Sequence, residues 1–195
     1  MIKWVFNVVC IFFFQSLLLS QGQSLSIEIQ HPITIDNNFV GINYNGIIDV
    51  GAKYRFINLD VVNFGAALNI GLLTDPGNND FGADFTVNTF YFQPKGFVEL
   101  RVPKLEKLRA FVGVGISIFT FTTSGSLSAF EISGAPETQI GFNLNPGLSY
   151  DIFSNFFIQV NYDFSSLSPD DDVPDIIFNS NVNLLKLGVG YRFGS

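Results

Sequence analysis

The chain has 195 residues, of which 47% are hydrophobic and 14% are charged, and its formal net charge is −7. Soluble domains carry about a quarter of their residues as Asp, Glu, Lys or Arg, so the composition is unusual for a water-soluble domain, and the negative charge argues against a nucleic-acid partner. After the N-terminal segment no apolar run reaches the roughly 18 residues that a membrane-spanning helix needs, which excludes a helical membrane protein.

Residues 1–22 have the pattern of a secretory signal peptide. Lys3 precedes an apolar run that extends to Leu19, and Ser20 and Gly22 place small residues at the first and third positions of the next tripeptide. We expect removal of this segment by cleavage after residue 22 or 24. An uncleaved anchor helix is the alternative, but the run is short for a span. Cys10 lies inside the segment, so the mature chain would contain no disulfide.

Eight segments of about ten residues follow, and each alternates apolar with small or polar side chains, which is the period-2 pattern of β-strands. In chain order they are residues 26–35, 45–56, 62–72, 90–102, 108–122, 140–152, 156–164 and 184–193. The last segment alternates most strictly, with Leu187 and Val189 on one face and Lys186, Gly188 and Gly190 on the other. We expect local bulges where prolines remove a ladder donor: these positions are Pro32, Pro94 and Pro146.

The connections between the eight segments are long and short in turn. Residues 74–89, 124–138 and 165–181 are the three longest, and all are polar. Strands of this length cross a bilayer at a tilt, and short turns that alternate with long loops are typical of outer-membrane barrels. The sequence therefore predicts an all-β fold over residues 25–195, an eight-stranded antiparallel up-and-down transmembrane β-barrel. Because an open edge cannot be hydrogen-bonded in hydrocarbon, the first strand should pair with the last.

Alternation alone does not decide which face lies inside, since a soluble lipocalin-like barrel has eight strands with its apolar face inward. The polar face here is rich in Gly, Ala, Asn and Ser, as a narrow lumen requires. It also carries charges of both signs, which would pair in a confined interior. We therefore predict apolar side chains facing lipid and a lumen charge network. The members of this network are Asp49, Lys53, Arg55, Lys95, Glu99, Arg101, Arg109, Asp151, Asp163, Lys186 and Arg192.

The signal peptide, the eight alternating segments and the terminal stretch from Leu187 to Phe193 resemble small outer-membrane β-barrel proteins, in particular OmpA/OmpX-like barrels and the porin-family barrels of the Bacteroidetes type. The resemblance covers essentially the whole mature chain. It implies a multi-pass barrel in the bacterial outer membrane, in contact with lipid and lipopolysaccharide and inserted by the barrel-assembly machinery. In that family the final aromatic residue is the assembly signal; here Tyr191 and Phe193 match it, with two residues following.

We weigh three functions for such a barrel. The first is a structural role, or that of an accessory subunit of a larger envelope complex, with a closed lumen, because the interior of eight strands is only just wide enough for side chains. The second is a narrow channel for small or hydrophobic solutes, as in OmpW-like barrels. The third is a membrane-embedded lipid-modifying enzyme. His31 is the sole histidine, but no Ser and carboxylate spacing marks a triad, so we expect no catalytic residue and no enzyme.

Two of the long loops, residues 74–89 and 165–181, are acidic and contain neither Lys nor Arg. Oxygen-rich loops can hold Ca²⁺, but no twelve-residue calcium template is present, and we expect solvated loops without a metal or cofactor. As a hypothesis, this acidic crown would repel anions and attract divalent cations that bridge lipopolysaccharide. Its predicted residues are Asp75, Asp80, Asp84, Asp170, Asp171, Asp172 and Asp175.

Overall fold

The computed structural model describes residues 25–75, 77, 83–127, 130–168 and 176–193, with the backbone alone at 83–85, 126–127 and 130–133. The predicted signal peptide therefore lies outside the described residues. The same is true of Asp80, Asp175 and the three successive aspartates at 170–172.

The described chain is almost entirely strand. The strands are β1 (Leu25–Ile35), β2 (Asn45–Asn58), β3 (Val62–Asp75), β4 (Ala83–Arg101), β5 (Leu108–Leu127), β6 (Phe130–Ser133), β7 (Glu137–Asp151), β8 (Phe156–Leu167) and β9 (Asn181–Phe193). Two short helices, α1 (Phe39–Asn43) and α2 (Ile177–Ser180), lie in the connections. Among the described residues, neither helix is long and apolar enough to cross a membrane.

The predicted eight-stranded antiparallel barrel is confirmed. Seven strand pairs join neighbours along the chain, and β1 closes the barrel against β9 from the Leu25–Phe193 pair to the Ile35–Asn183 pair. The short strand β6 pairs only with the far end of β5 and extends that hairpin. Closure leaves the barrel wall without a free edge, so each of the eight strands has a hydrogen-bonded neighbour on both sides.

Two of the predicted loops are in large part strand. The ladder between β3 and β4 continues to the Asp75–Val87 pair, and the ladder between β4 and β5 continues to the Ala83–Leu127 pair. The prediction of loops at residues 74–89 and 124–138 was therefore wrong over much of their length. Beyond the bilayer both faces of a hairpin meet water, so Thr-rich strands persist without the apolar alternation on which the sequence reading relied.

The expected proline bulges are also absent from the described strands. Pro32 lies opposite Lys186 and Pro94 opposite Leu68 in ladders whose register does not change, and Pro146 likewise pairs with Val112. The register shifts of the β2–β3 pair fall instead in β2, after Gly46 and after Arg55. A proline lacks the backbone N–H that would bond to one neighbouring strand. It therefore removes a single ladder bond without inserting an extra residue, and the register is unchanged.

The two faces of the barrel are as predicted, and an apolar-cored soluble barrel is excluded. Outward side chains at mid-height are apolar and exposed, with Leu187 at 46% and Phe142 at 49%, whereas Lys186 and Asp163 are fully buried inside. The apolar belt includes Ile29, Val50, Ile70, Val112, Val114, Ile116, Ile158, Val160 and Val189. An exposed apolar surface that encircles the whole barrel is what a bilayer requires.

The two ends of the barrel differ. The turn end carries both described termini and the short connections at residues 59–61, 102–107 and 152–155, whereas the loop end carries α1, α2 and the β5–β6 hairpin. At the loop end the Asn38 side chain caps α1 by accepting a hydrogen bond from the Gly41 amide at 2.7 Å. The capped helix places Val40 over the lumen. It joins a buried apolar plug formed by Val40, Tyr44, Leu73, Tyr91, Phe119, Leu167, Val182 and Leu184.

We expect Leu187→Arg to reduce the yield of folded barrel, because a lipid-facing Arg near mid-bilayer costs about 2–4 kcal/mol. Leu187 lies at the centre of β9 between His31 and Val160 of the adjacent strands. The fraction that folds into lipid vesicles, measured by its altered mobility on unheated gels, checks this. Phe153→Arg is the matched control, because Phe153 is 71% exposed in a turn at the turn end. Equal yields for the two variants would contradict the face assignment.

Candidate functional site

The inward face of the barrel carries two clusters of charged side chains and a further ion pair. The first, the turn-end cluster, consists of Arg55, Glu99, Arg109, Asp151 and Arg192, one residue from each of five strands. Two of the three Arg55 guanidinium nitrogens, Nε and Nη2, donate to Glu99, at 2.9 and 2.6 Å. Arg109 bridges Glu99 at 3.4 Å and Asp151 at 3.1 Å, and Asp151 also pairs with Arg192. The cluster is therefore a chain of alternating charges.

The second group, the mid-barrel cluster, consists of Asp49, Lys95, Asp163 and Lys186. Lys186 Nζ lies 2.8 Å from Asp49 Oδ2 and 2.9 Å from Asp163 Oδ2, and Lys95 Nζ lies 3.4 Å from the same Asp163 oxygen. Two cations thus face two anions. Asp49, Asp163 and Lys186 have no solvent exposure, so each depends on the others for its charge to be tolerated in the interior.

Neutral donors complete the mid-barrel cluster. Asp49 accepts from the Tyr91 hydroxyl at 2.7 Å and from Asn69 at 2.6 Å. Asp163 accepts from Gln93 at 3.0 Å, from Asn143 at 2.8 Å and from Asn145 at 3.1 Å. Buried carboxylates need several such partners before an ion pair balances their loss of hydration. This explains why the inward face is rich in Asn and Gln as well as in charge.

The sequence reading missed one charged member of the lumen. Glu28 of β1 pairs with Lys53 at 2.9 Å, and Gln30 Nε2 links it to the mid-barrel cluster through 2.8 Å and 3.4 Å contacts with Glu28 and Asp49. Both side chains are buried. The signal was present, because Glu28 alternates with apolar residues on the polar face of β1 in the same way as the acids that were included.

The structure brings ten of the eleven predicted network residues together in these groups. The exception is Arg101, and its assignment to the lumen network was wrong. Arg101 ends β4, lies opposite Arg109 in register and is exposed at the turn end. Its place in the alternation of β4 is that of an inward side chain, but it lies at the turn end, outside the enclosed part of the lumen. Alternation predicts which side a residue faces and not how deep in the barrel it lies.

Aromatic rings occupy the lumen beside the charges. Four inward aromatic residues each face a glycine on the neighbouring strand, and at each glycine an added Cβ would overlap the ring. A cation lies 3.8–5.8 Å from the centre of each ring. In the order ring, glycine and cation, the sets are Phe97 with Gly65 and Arg55, Tyr91 with Gly71 and Lys186, Phe111 with Gly147 and Lys53, and Phe157 with Gly190 and Arg192.

These sets explain the glycines of the polar face more closely than a narrow lumen does. A ring that lies across a glycine fills space which a Cβ would take, and its face then attracts a partly desolvated cation by about 0.5–2 kcal/mol. The sequence analysis gave neither Phe111 nor Phe157 a role. Finding the sets from sequence requires the strand register, because each ring and its glycine are paired across two strands.

We expect Gly190→Ala to destabilise the barrel by about 1–3 kcal/mol, since the new methyl group displaces the Phe157 ring on which Arg192 rests at 3.9 Å. The free energy of unfolding in urea and lipid vesicles measures this. Gly96→Ala is the matched control, because Gly96 faces outward and its added Cβ would meet nothing closer than 4.0 Å. A cost as large for Gly96→Ala would show that the ring contact does not set the effect.

We expect Lys186→Met to cost about 3–5 kcal/mol of unfolding free energy, because it leaves Asp49 and Asp163 buried with too little positive charge. The double variant Lys186→Met with Asp49→Asn restores the balance, since Lys95 remains beside Asp163. It should therefore be more stable than the Lys186→Met variant. A double-mutant cycle with the Asp49→Asn variant measures the coupling, and strictly additive losses would contradict a shared network.

Comparison with known proteins shows which protein family and which solved structures this barrel is similar to. The sequence model of the family described as "Outer membrane protein beta-barrel domain" matches residues 22–193. Ail, the attachment invasion locus protein of Yersinia pestis, superposes with a TM-score of 0.57 at 19% identity, covering 87% of this chain and 97% of that one. Neisserial surface protein A gives 0.52 at 15% identity, covering 87% and 96%. OprG of Pseudomonas aeruginosa gives 0.51 at 10% identity, covering 88% and 97%.

At these identities the solved structures show the fold alone. A search of curated proteins found no match. The family match nevertheless spans all nine strands of the closed barrel described above. The chain therefore belongs to the outer membrane protein beta-barrel domain family, and it is a protein of the bacterial outer membrane.

Proposed function

We propose that this chain is a non-conducting, non-enzymatic barrel that serves the outer membrane as a structural element or as an accessory subunit of a larger envelope complex. The observation that carries the proposal is the packing of the lumen. The mid-barrel cluster joins β2, β4, β8 and β9 across the interior, and three of its four members have no exposure at all. Side chains that pair across the lumen in this way support a closed interior.

The apolar plug at the loop end supports the same conclusion. Tyr91 belongs to both layers, since its ring stacks on Phe119 of the plug at 5.2 Å while its hydroxyl donates to Asp49 of the mid-barrel cluster. An ion that crossed the barrel would have to separate both a dry apolar layer and a set of buried ion pairs. A narrow channel would therefore require both the apolar layer and the buried ion pairs to rearrange.

The lipid-enzyme alternative has little support from the surroundings of His31. The ring lies on the exposed outward face, and its Nδ1 is 3.2 Å from the backbone carbonyl oxygen of Ile47. A catalytic histidine would instead be oriented by a carboxylate and placed beside a nucleophile. We therefore assign His31 to the outer surface of the barrel wall, where it lies opposite Leu187 of β9.

The turn end supports an accessory role. Leu59, Leu105 and Phe153 are 57%, 56% and 71% exposed in three different short turns. Apolar side chains that extend past the strands at this end suit contact with a partner subunit or with the lipid interface. We also retain Tyr191 and Phe193 as the proposed signal for the barrel-assembly machinery. Their rings meet edge-on at 4.9 Å at the end of β9.

The loop end does not suit a polyanion. The Ail structure contains the heparin analogue sucrose octasulfate, but the loop-end connections of this chain contain ten acidic residues and no basic one. These acidic residues are Asp36, Asp75, Asp80, Asp84, Glu131, Glu137, Asp170, Asp171, Asp172 and Asp175. We propose that this negative end faces outward, where it would meet lipopolysaccharide through bridging divalent cations.

We expect the purified mature barrel to show no stepwise conductance in planar bilayers, because its lumen is filled. A variant in which Asp49, Lys95, Asp163 and Lys186 are all replaced by Ser keeps the charge balance but shortens four side chains, and it is the comparison that should conduct more. Reproducible conductance of the unmodified barrel would overturn the proposal in favour of a channel.

Extraction of native membranes in mild detergent separates the two proposed roles: an accessory subunit migrates with a larger complex and a structural barrel migrates alone.

A further inference from the structure

A cavity of about 330 Å³ opens at the loop end of the barrel. Its size is at the lower end of the range of small-molecule sites, about 300–1,000 Å³. We call it the mouth cavity. Its lining includes Phe39, Val40, Tyr44, Val87, Phe121 and Glu137. It lies above the apolar plug, with which it shares Val40 and Tyr44, so it is a blind recess rather than the entrance of a passage.

Three aromatic rings stand together in the lining of the mouth cavity. Phe39 and Tyr44 meet edge-on with their centres 5.9 Å apart, and Tyr44 and Phe121 meet edge-on at 6.0 Å. Phe39 comes from α1, Tyr44 from the connection to β2 and Phe121 from the inward face of β5. Rings that are contributed by separate elements and set at steep angles to one another leave π-faces available to a guest in the recess.

One charged side chain lies among the described residues that line the mouth cavity. This is Glu137, which is half-buried at the start of β7 and accepts a 2.6 Å hydrogen bond from Gln139. Burial is the main reason that the pKa of Tyr44 rises to about 12; its hydrogen bond to Thr89 opposes the rise, and the charges of Asp75 and Glu137 contribute to it. The Tyr44 hydroxyl therefore stays neutral at physiological pH, and its surroundings are negative.

The wider field has the same sign. The connections at the loop end carry acidic residues without a compensating Lys or Arg, so the potential at the mouth favours cations and disfavours anions. An aromatic lining next to a carboxylate is the arrangement that binds organic ammonium ions, because the ring faces and the carboxylate both attract positive charge while the rings contact the apolar body.

We propose that the mouth cavity binds a small organic cation, an ammonium group joined to an aromatic or aliphatic body, with the charge held at Glu137 and the body among the Phe39, Tyr44 and Phe121 rings. The proposal does not depend on the non-conducting role, since the recess lies outside the packed part of the lumen. A neutral apolar ligand would use the rings but not Glu137, and an anion would be repelled by it.

The test compares three probes of nearly equal size in an uncharged detergent: benzylammonium, benzyl alcohol and benzoate. Ligand-observed NMR titration of the folded barrel gives the affinity of each probe. We expect saturable binding of benzylammonium, weaker binding of benzyl alcohol and none of benzoate. Glu137→Gln should weaken benzylammonium binding by about two- to fivefold, the range of a partly exposed ion pair, with little effect on benzyl alcohol.

Two further variants fix the location. Val87→Phe fills the recess from β4 and should abolish saturable binding of every probe, whereas Glu106→Gln makes the same chemical change as Glu137→Gln in a turn at the opposite end and should alter nothing. Three results would each overturn the proposal: no saturable binding of benzylammonium, equal affinity for benzyl alcohol, or binding that survives Val87→Phe unchanged. The Glu137→Gln substitution is close in shape and retains an acceptor for Gln139, so it keeps the test valid if Val87→Phe fails to fold.

Discussion

The rest of this structure depends on the pairing of backbone polar groups within a hydrocarbon layer. In that layer an unpaired N–H or C=O group costs several kcal/mol, and β1 against β9 is the pairing that removes the last free edge. Once the wall is closed, each strand has one face toward lipid and one toward the lumen. Apolar side chains must take the first face, so all the polar side chains of the wall are forced into one narrow interior.

The charges of the side chains in this interior then have to neutralise one another. Six cations and five anions of the described residues lie there, and each is placed against opposite charge in the turn-end cluster, in the Glu28–Lys53 pair or in the mid-barrel cluster. Ion pairs alone leave apolar stems and ring-sized spaces unfilled, and the four glycine–ring–cation sets fill these spaces. Each ring packs against the backbone of the next strand and presents its face to a cation, so a single residue satisfies both packing and charge.

The sequence was sufficient for the fold and for most of the lumen. Alternation within strands such as β9 predicts both the strand and its inward face, because lipid imposes the period on every side chain of the wall. It fails where lipid is absent: the β4–β5 hairpin continues past the bilayer with Thr and Ser on both faces, and Arg101 has inward parity at a level where there is no longer an interior. The hydrogen-bond partners of Asp163 and the ring that packs over Gly190 depend on the strand register and on the depth of each residue in the barrel. Alternation within one strand gives neither.

The charges of the chain divide among three regions, and this division has consequences for function. The lumen is nearly neutral, the loop-end connections carry ten acidic residues and no basic one, and the turn end carries Arg101, Lys104 and Lys107 against Asp60 and Glu106. In the closed barrel that we propose, the resulting difference in potential does not drive transport. It distinguishes the two ends instead, because an acidic loop end attracts cations and a weakly basic turn end attracts anionic groups. The side chains that pair across the lumen hold these two ends at a fixed distance and orientation.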